Sequence, residues 1–213
     1  MPSRNRTPYL AIVGPTCSGK TKSVEGLIRP GRERVNLDSF QLYDFFRVGT
    51  GRSDVSTGHL YGVLDPHEDA TDELYLGMVA RVLGSMANRD IQPVFEGGSR
   101  HLLKALASEY TLKIVGVLPP HTADLDQLVK RRVDAAGQDN LIDEAREGLR
   151  RGYRDTTVMR GDVVYLPLVQ HIDEELTKAE AFEKIHQNLV NMHHRQMAGY
   201  LAMPEIEWVE SPA

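Results

Sequence analysis

The chain has 213 residues, 41% of them hydrophobic, with 30 acidic against 25 basic side chains and a formal net charge of −5. That length suits one compact core, and the acidic balance supplies no global basic field for gripping a long nucleic acid, although a local basic groove stays open. The single cysteine, Cys17, excludes an internal disulfide and a multi-cysteine zinc site, and no run approaches the roughly 18 apolar residues of a membrane span; the composition reads as a soluble cytoplasmic protein without a membrane partner.

Taken in order, Tyr9–Val13 is a short apolar run ending at a glycine, the pattern of a buried parallel strand entering a turn. Residues 20–28 read as a helix, and Arg34-Val-Asn-Leu-Asp38 as a second strand ending on a carboxylate. Residues 45–70 hold Gly49, Gly51, Gly58, Gly62 and Pro66 among polar side chains, as expected of a long loop over a site. Asp72 is placed to cap a helix running to about Ala87. Strands follow at Ile91 to Phe95, before Glu96-Gly97-Gly98, and at Leu112 to Leu118. After Pro119-Pro120 charged helical patterns dominate over 123–136, 141–152 and 178–198, with a short strand at 206–209. Alternating strands and helices predict an α/β fold, a P-loop NTPase-like parallel sheet flanked by helices (about 8–120) with a helical C-terminal cap (about 121–205), forming a single domain. Ligands of such sheets sit beyond the strand carboxyl ends, where Gly14, Asp38 and Gly97 all fall.

Gly14-Pro15-Thr16-Cys17-Ser18-Gly19-Lys20-Thr21 matches G-x-x-x-x-G-K-[ST] at every required position, between a predicted strand and a predicted helix. Backbone amides and the Lys20 charge cradle phosphate oxygens there, and the Thr21 hydroxyl is suited to a Mg²⁺ bridging two phosphates. Cys17 occupies a free position of the loop, as an inert small side chain rather than a nucleophile. The loop alone does not decide between hydrolysing, transferring and binding a phosphate compound.

Together, Gly14–Thr21, Leu37-Asp38-Ser39-Phe40-Gln41 and Glu96-Gly97-Gly98-Ser99, in this order and spacing, resemble the isopentenyltransferase family, in particular the bacterial adenylate isopentenyltransferases that make cytokinins; the tRNA dimethylallyltransferases are a related branch. Leu60-Tyr-Gly-Val-Leu-Asp-Pro66 resembles the family's segment ending in Leu-Asp-Pro, and Arg131-Arg132-Val133 its arginine-bearing helix. The resemblance implies transfer of a dimethylallyl group from dimethylallyl diphosphate to the exocyclic amine of an adenine nucleotide, with diphosphate leaving. On that reading the P-loop clamps the leaving group, with Thr16 and Arg132 on its oxygens and Lys20 sharing the charge. Asp38 becomes the general base for the amine; read from its own residues alone it would equally be a helix or turn cap. Ser39, Gln41, Gly98 and Ser99 fall in the family's acceptor pocket, although local backbone caps explain the serines as well. Asp162 and His193 align with residues beside the prenyl tail, although a solvated helix face explains His193 on its own terms. Where the family carries a tyrosine one turn before that histidine, this chain has Val190, which points to an apolar tail pocket.

The modest length, acidic charge and lone cysteine leave little room for an anticodon-gripping insertion or a zinc finger, so the expected acceptor is a free adenine nucleotide such as AMP, and tRNA is an unlikely partner. No obligate protein partner is implied. Arg47, Arg52, Arg100 and Lys104 are candidates to meet an acceptor phosphate, or are simply solvated. Two other readings use the same loop: a small P-loop kinase with Asp38 against a substrate hydroxyl and a lid arginine among Arg131, Arg132, Arg150 and Arg151, and a non-enzymatic nucleotide-gated switch.

Overall fold

The structure is a computed structural model that describes residues 7–52, 58–121, 123–161 and 163–211. Six parallel strands, β1 (Tyr9–Val13), β2 (Arg32–Asn36), β3 (Gly58–His59), β4 (Gln92–Gly97), β5 (Leu112–Leu118) and β6 (Glu207–Glu210), form one sheet in the order β3-β2-β4-β1-β5-β6. Seven α-helices accompany them among the described residues: α1 (Lys20–Glu25), α2 (Asp72–Ala87), α3 (Arg100–Glu109), α4 (Leu125–Ala136), α5 (Gln138–Arg150), α6 (Tyr165–Ile172) and α7 (Lys178–Leu201).

The central strands explain themselves. β1 and β4 carry Ala11, Val13, Val94 and Phe95 at 0–1% exposure, because both faces of a parallel sheet are covered by crossover helices. At the edge, Gly116 of β5 pairs with Trp208 of β6, and a Cβ there would lie 2.5 Å from the indole, so the missing side chain lets the ring lie across the strand. On α2, Tyr75, Met78, Val79, Leu83 and Met86 recur at helical spacing and form its buried stripe.

Several boundaries differ from the sequence expectation. β2 ends at Asn36, two residues early, because the Asn36 amide takes over where the ladder stops: its Oδ1 accepts from Asp38 N–H and its Nδ2 donates to the Asp38 and Leu60 carbonyls. The cap of α2 is Thr71 rather than Asp72, with the Thr71 hydroxyl oxygen accepting from Leu74 N–H. α3 and α6 were not expected; α6 is only eight residues long and holds Pro167 in its first turn, where a proline costs no hydrogen bond. Within the expected loop 45–70 the segment Arg47–Gly49 is pinned, since the Glu144 carboxylate accepts from the backbone N–H groups of Arg47, Val48 and Gly49 and from the Tyr165 hydroxyl.

Gly97 sits where β2 and β4 part, and a Cβ there would lie 2.0 Å from the Leu37 carbonyl oxygen, with only backbone to give way. Gly97→Ala is expected to lower the unfolding free energy by about 1–3 kcal/mol, whereas Gly84→Ala, in α2 with nothing within 4 Å of a new Cβ, is expected to raise it by about 0.5–1 kcal/mol. Urea unfolding of the two variants checks both signs.

Candidate active site

The loop after β1 is bent by three residues in the left-handed or a neighbouring region: Gly14 at φ 153°, Cys17 at 61° and Gly19 at 87°. Glycine is required at Gly14, where a Cβ would stand 2.5 Å from the Val117 carbonyl oxygen. Residues 16–21 line a cavity of about 470 Å³, while Gly14 and Pro15 stand behind the lining. Lys20 Nζ donates to the Pro15 carbonyl at 2.7 Å, and burial lowers its pKa to about 8 against the opposing pull of Asp38 and Glu96. The Ser18 hydroxyl is buried without a hydrogen-bond partner among the described residues.

Thr16 is held from three directions. Arg132 of α4 donates to its hydroxyl oxygen at 2.6 Å, its backbone N–H donates to Gln196 Oε1 at 2.7 Å, and its carbonyl accepts from His193 Nδ1 at 2.7 Å. Gln196 also donates to the Gly98 carbonyl at 3.3 Å, bridging the P-loop to the end of β4. With one lone pair of the Thr16 oxygen taken by Arg132, the other neighbour of the hydroxyl is Cys17 Sγ at 3.9 Å, a weak partner that a phosphate oxygen in the cavity would outcompete for the O–H. Arg132 is roofed by Gly51, where a Cβ would lie 3.2 Å from the guanidinium.

Thr21 donates to Glu96 Oε1 at 2.8 Å. Arg34 Nε stands 3.3 Å from Glu96 Oε2, an ion-pair contact too poorly aligned for a hydrogen bond, and both side chains are 7% exposed. The buried carboxylate beside a threonine hydroxyl is a hard-oxygen pair that fits a Mg²⁺ shared with phosphate oxygens.

Asp38 lies at the junction of this cavity with a second one of about 770 Å³, the two sharing Asp38, Phe40, Gly98, Val163, Met192 and Gln196. Its Oδ1 accepts from Phe40 N–H at 3.1 Å, so it does cap the turn, while Oδ2 would be 3.4 Å from a Cβ at Gly98. Gln41 lines the first cavity and donates to the Thr50 carbonyl. Ser39 and Ser99 are paired with each other, hydroxyl to hydroxyl at 2.9 Å, at the edge of the second. Away from the P-loop segment the lining of the first cavity includes an apolar set, Leu128, Val158, Val163, Val164, Leu189 and Met192.

The sequence-predicted residues are thus gathered, with exceptions. Asp162 lies outside the described residues. His193 does not line the cavity: it is 7% exposed and bonded to the P-loop backbone, so neither a solvated face nor a direct place beside a prenyl tail describes it. Gln196, Glu96, Asn36 and Glu144 were missed. A signal for Gln196 and His193 exists: Phe182, Ile185 and Leu189 form the apolar stripe of α7, and His193, Gln196 and Tyr200 continue it at helical spacing, polar where the helix crosses the loop.

Residues 104–198 match the model of the family described as IPP transferase. The chain is 32% identical over 146 residues to the tRNA dimethylallyltransferase of Roseiflexus castenholzii, covering 66% of this chain and 46% of the relative. It is 37% identical over 103 residues to that of Petrotoga mobilis, covering 46% and 34%. The chain therefore spans less than half the length of these curated relatives. Among solved structures, the tRNA isopentenylpyrophosphate transferase of Bacillus halodurans superposes with TM-score 0.81 at 20% identity over 96% of this chain and 90% of that one. A eukaryotic dimethylallyltransferase described as acting on tRNA superposes with TM-score 0.79 at 13% identity, covering 96% and 74%. The fold is accordingly that of the isopentenyltransferase structures, a P-loop NTPase-like parallel sheet flanked by helices.

These matches correct the expectation that tRNA is an unlikely partner. Each of these relatives is named for tRNA, and none for an adenylate or cytokinin enzyme. Net charge, being an average over the surface, says nothing of one face. Of membrane association the structure says only that no helix among the described residues is long and apolar enough to cross a bilayer.

Burial lowers the pKa of His193, against the bond to Thr16 that raises it. As pH falls below about 6.5 the unfolded chain takes up this proton first, so the folded state loses stability from there down to the folded pKa. His193→Asn, which keeps a donor near Nδ1 without titrating, is expected to flatten that part of the stability profile; thermal melts from pH 7.5 to 5 compare the two.

Proposed function

We propose that the protein transfers a dimethylallyl group from dimethylallyl diphosphate to the exocyclic amine of an adenine, and that the adenine belongs to tRNA. The observation that carries this is the pair of joined cavities: a phosphate-binding loop and an apolar wall on one side, a wider opening on the other, and a carboxylate, Asp38, between them. The IPP transferase match and the tRNA names of the relatives support the donor and the acceptor class.

In this reading the diphosphate lies on residues 16–21, where the Ser18 hydroxyl and the desolvated Lys20 ammonium have no better partner than a phosphate oxygen. Thr16 is oriented by Arg132 so that its O–H points at the oxygen that leaves with the electron pair of the C–O bond, and Arg132 meets the charge that develops there. The apolar wall packs the five-carbon chain and keeps water from the allylic carbon. The adenine amine bonds to that carbon, and Asp38 Oδ2 accepts the proton it loses. Thr21 and Glu96 would hold a Mg²⁺, which neutralises part of the diphosphate charge when bound.

A P-loop kinase would use the same loop, but the six apolar side chains of the same cavity suit a hydrocarbon better than a hydroxylated substrate. Incubating the protein with Mg²⁺, dimethylallyl diphosphate and a tRNA transcript is expected to give prenylated RNA by mass spectrometry; ADP release from ATP with a small alcohol, and no prenylated product, would sink the reading. Asp38→Ala is expected to keep diphosphate binding and lose about 10²–10⁴ in turnover. Diphosphate affinity is expected to fall as pH rises above about 8, where Lys20 deprotonates in the free protein, and that fall is expected to vanish in Lys20→Ala.

A further inference from the structure

The wider cavity has a second polar feature that this chemistry leaves unused. α3 and α7 face each other across it. From α3 come Arg100 and, one turn on, Lys104; from α7 come Arg195 and, further along, Tyr200. A Cβ at Gly199 would collide with the Arg100 guanidinium, so the bare backbone of α7 provides the seat on which Arg100 lies. Arg100, Lys104 and Arg195 enter no ion pair with the described residues, in a chain whose net charge is −5.

Beneath them Tyr200 is 1% exposed, and its hydroxyl is buried with no hydrogen-bond partner among the described residues. Leaving a buried hydroxyl unpaired costs about 1–3 kcal/mol. Burial raises its pKa; Asp38 adds to that and Arg100 opposes it, which places the hydroxyl within electrostatic reach of both. Ser99, at the start of α3, makes no side-chain cap bond, and the first turn of the helix holds no acidic residue. Among the described residues Asp38 and Asp69 are the carboxylates of the lining, and Asp38 belongs to the end shared with the donor cavity. A neutral or cationic ligand has no use for this set, whereas a phosphate oxygen satisfies the hydroxyl and the guanidinium together. Of the other basic residues considered, Arg52 is spent on the carbonyls of Tyr43 and Asp44.

We propose that this cavity binds a phosphate on or next to the acceptor adenosine, with Arg100 as its principal charge, Tyr200 as a fixed hydroxyl donor, and Lys104 and Arg195 as flanking charges. The inference rests on the adenine-acceptor reading above and adds the part of the acceptor that the cavity grips.

The test is a calorimetric titration of protein saturated with inorganic diphosphate, which occupies the P-loop. The ligands are adenosine, 5′-AMP and a short single-stranded RNA containing one adenine; the proteins are wild type, Arg100→Ala and Tyr200→Phe. Arg100→Ala is expected to weaken AMP or RNA by about tenfold or more while adenosine shifts by less than about twofold. Tyr200→Phe is expected to weaken the same ligands yet melt no lower than wild type, because its hydroxyl bonds nothing in the free protein. A loss seen with AMP assigns the subsite to the nucleotide's own phosphate, and a loss seen with RNA alone assigns it to a neighbouring phosphodiester. Equal shifts for all three ligands, or none, overturn the subsite and leave the transfer reading standing. Failure of wild type to bind any of the three overturns both.

Discussion

The site depends on one residue being held still. Thr16 has its hydroxyl, its amide and its carbonyl each engaged by a side chain from outside the P-loop: Arg132 from α4, Gln196 and His193 from α7. These bonds tie a loop on the sheet to two helices that are 116 to 180 positions away in sequence. A loop fixed on three sides gives up little further conformational entropy when a ligand binds, and its hydroxyl keeps one direction in which to donate.

The same contacts carry a cost. The buried stripe of α7 exchanges apolar packing for His193 and Gln196 where it meets the loop, and β4 carries near its end a buried Glu96 whose charge is met by Arg34. Paired polar groups in a core add little net stability, and each is expensive to strand if its partner is lost. Ser18 and Tyr200 are left without hydrogen-bond partners among the described residues. Both border the cavities, and both are groups that a ligand rather than the fold would satisfy. The unsatisfied atoms and the cavities therefore mark the same surface by two independent physical criteria.

Charge is instructive in the opposite sense. The whole chain is acidic, yet Arg100, Lys104 and Arg195 converge on one cavity from helices that are distant in sequence. A screened field falls off over about 8–10 Å, so a ligand entering there meets the local cations and not the average.

The sequence by itself determined the parallel sheet, the P-loop after β1 and the location of Asp38 beyond a strand end, because hydrophobic runs, glycine spacing and strand–helix alternation are local signals that survive in one dimension. The motif residues carried the chemistry of the loop for the same reason. It did not determine α3 or α6, whose ten and eight residues are too short for a decisive period, nor the end of β2, which the Asn36 side chain fixes. Only the tertiary structure decided that His193 faces inward, that Gln196 bridges the P-loop and the end of β4, and that Tyr200 and Arg100 line the same cavity as Asp38. Each of those facts is a contact between elements, set by where helices land on the sheet, and a helical period records only which residues share a face.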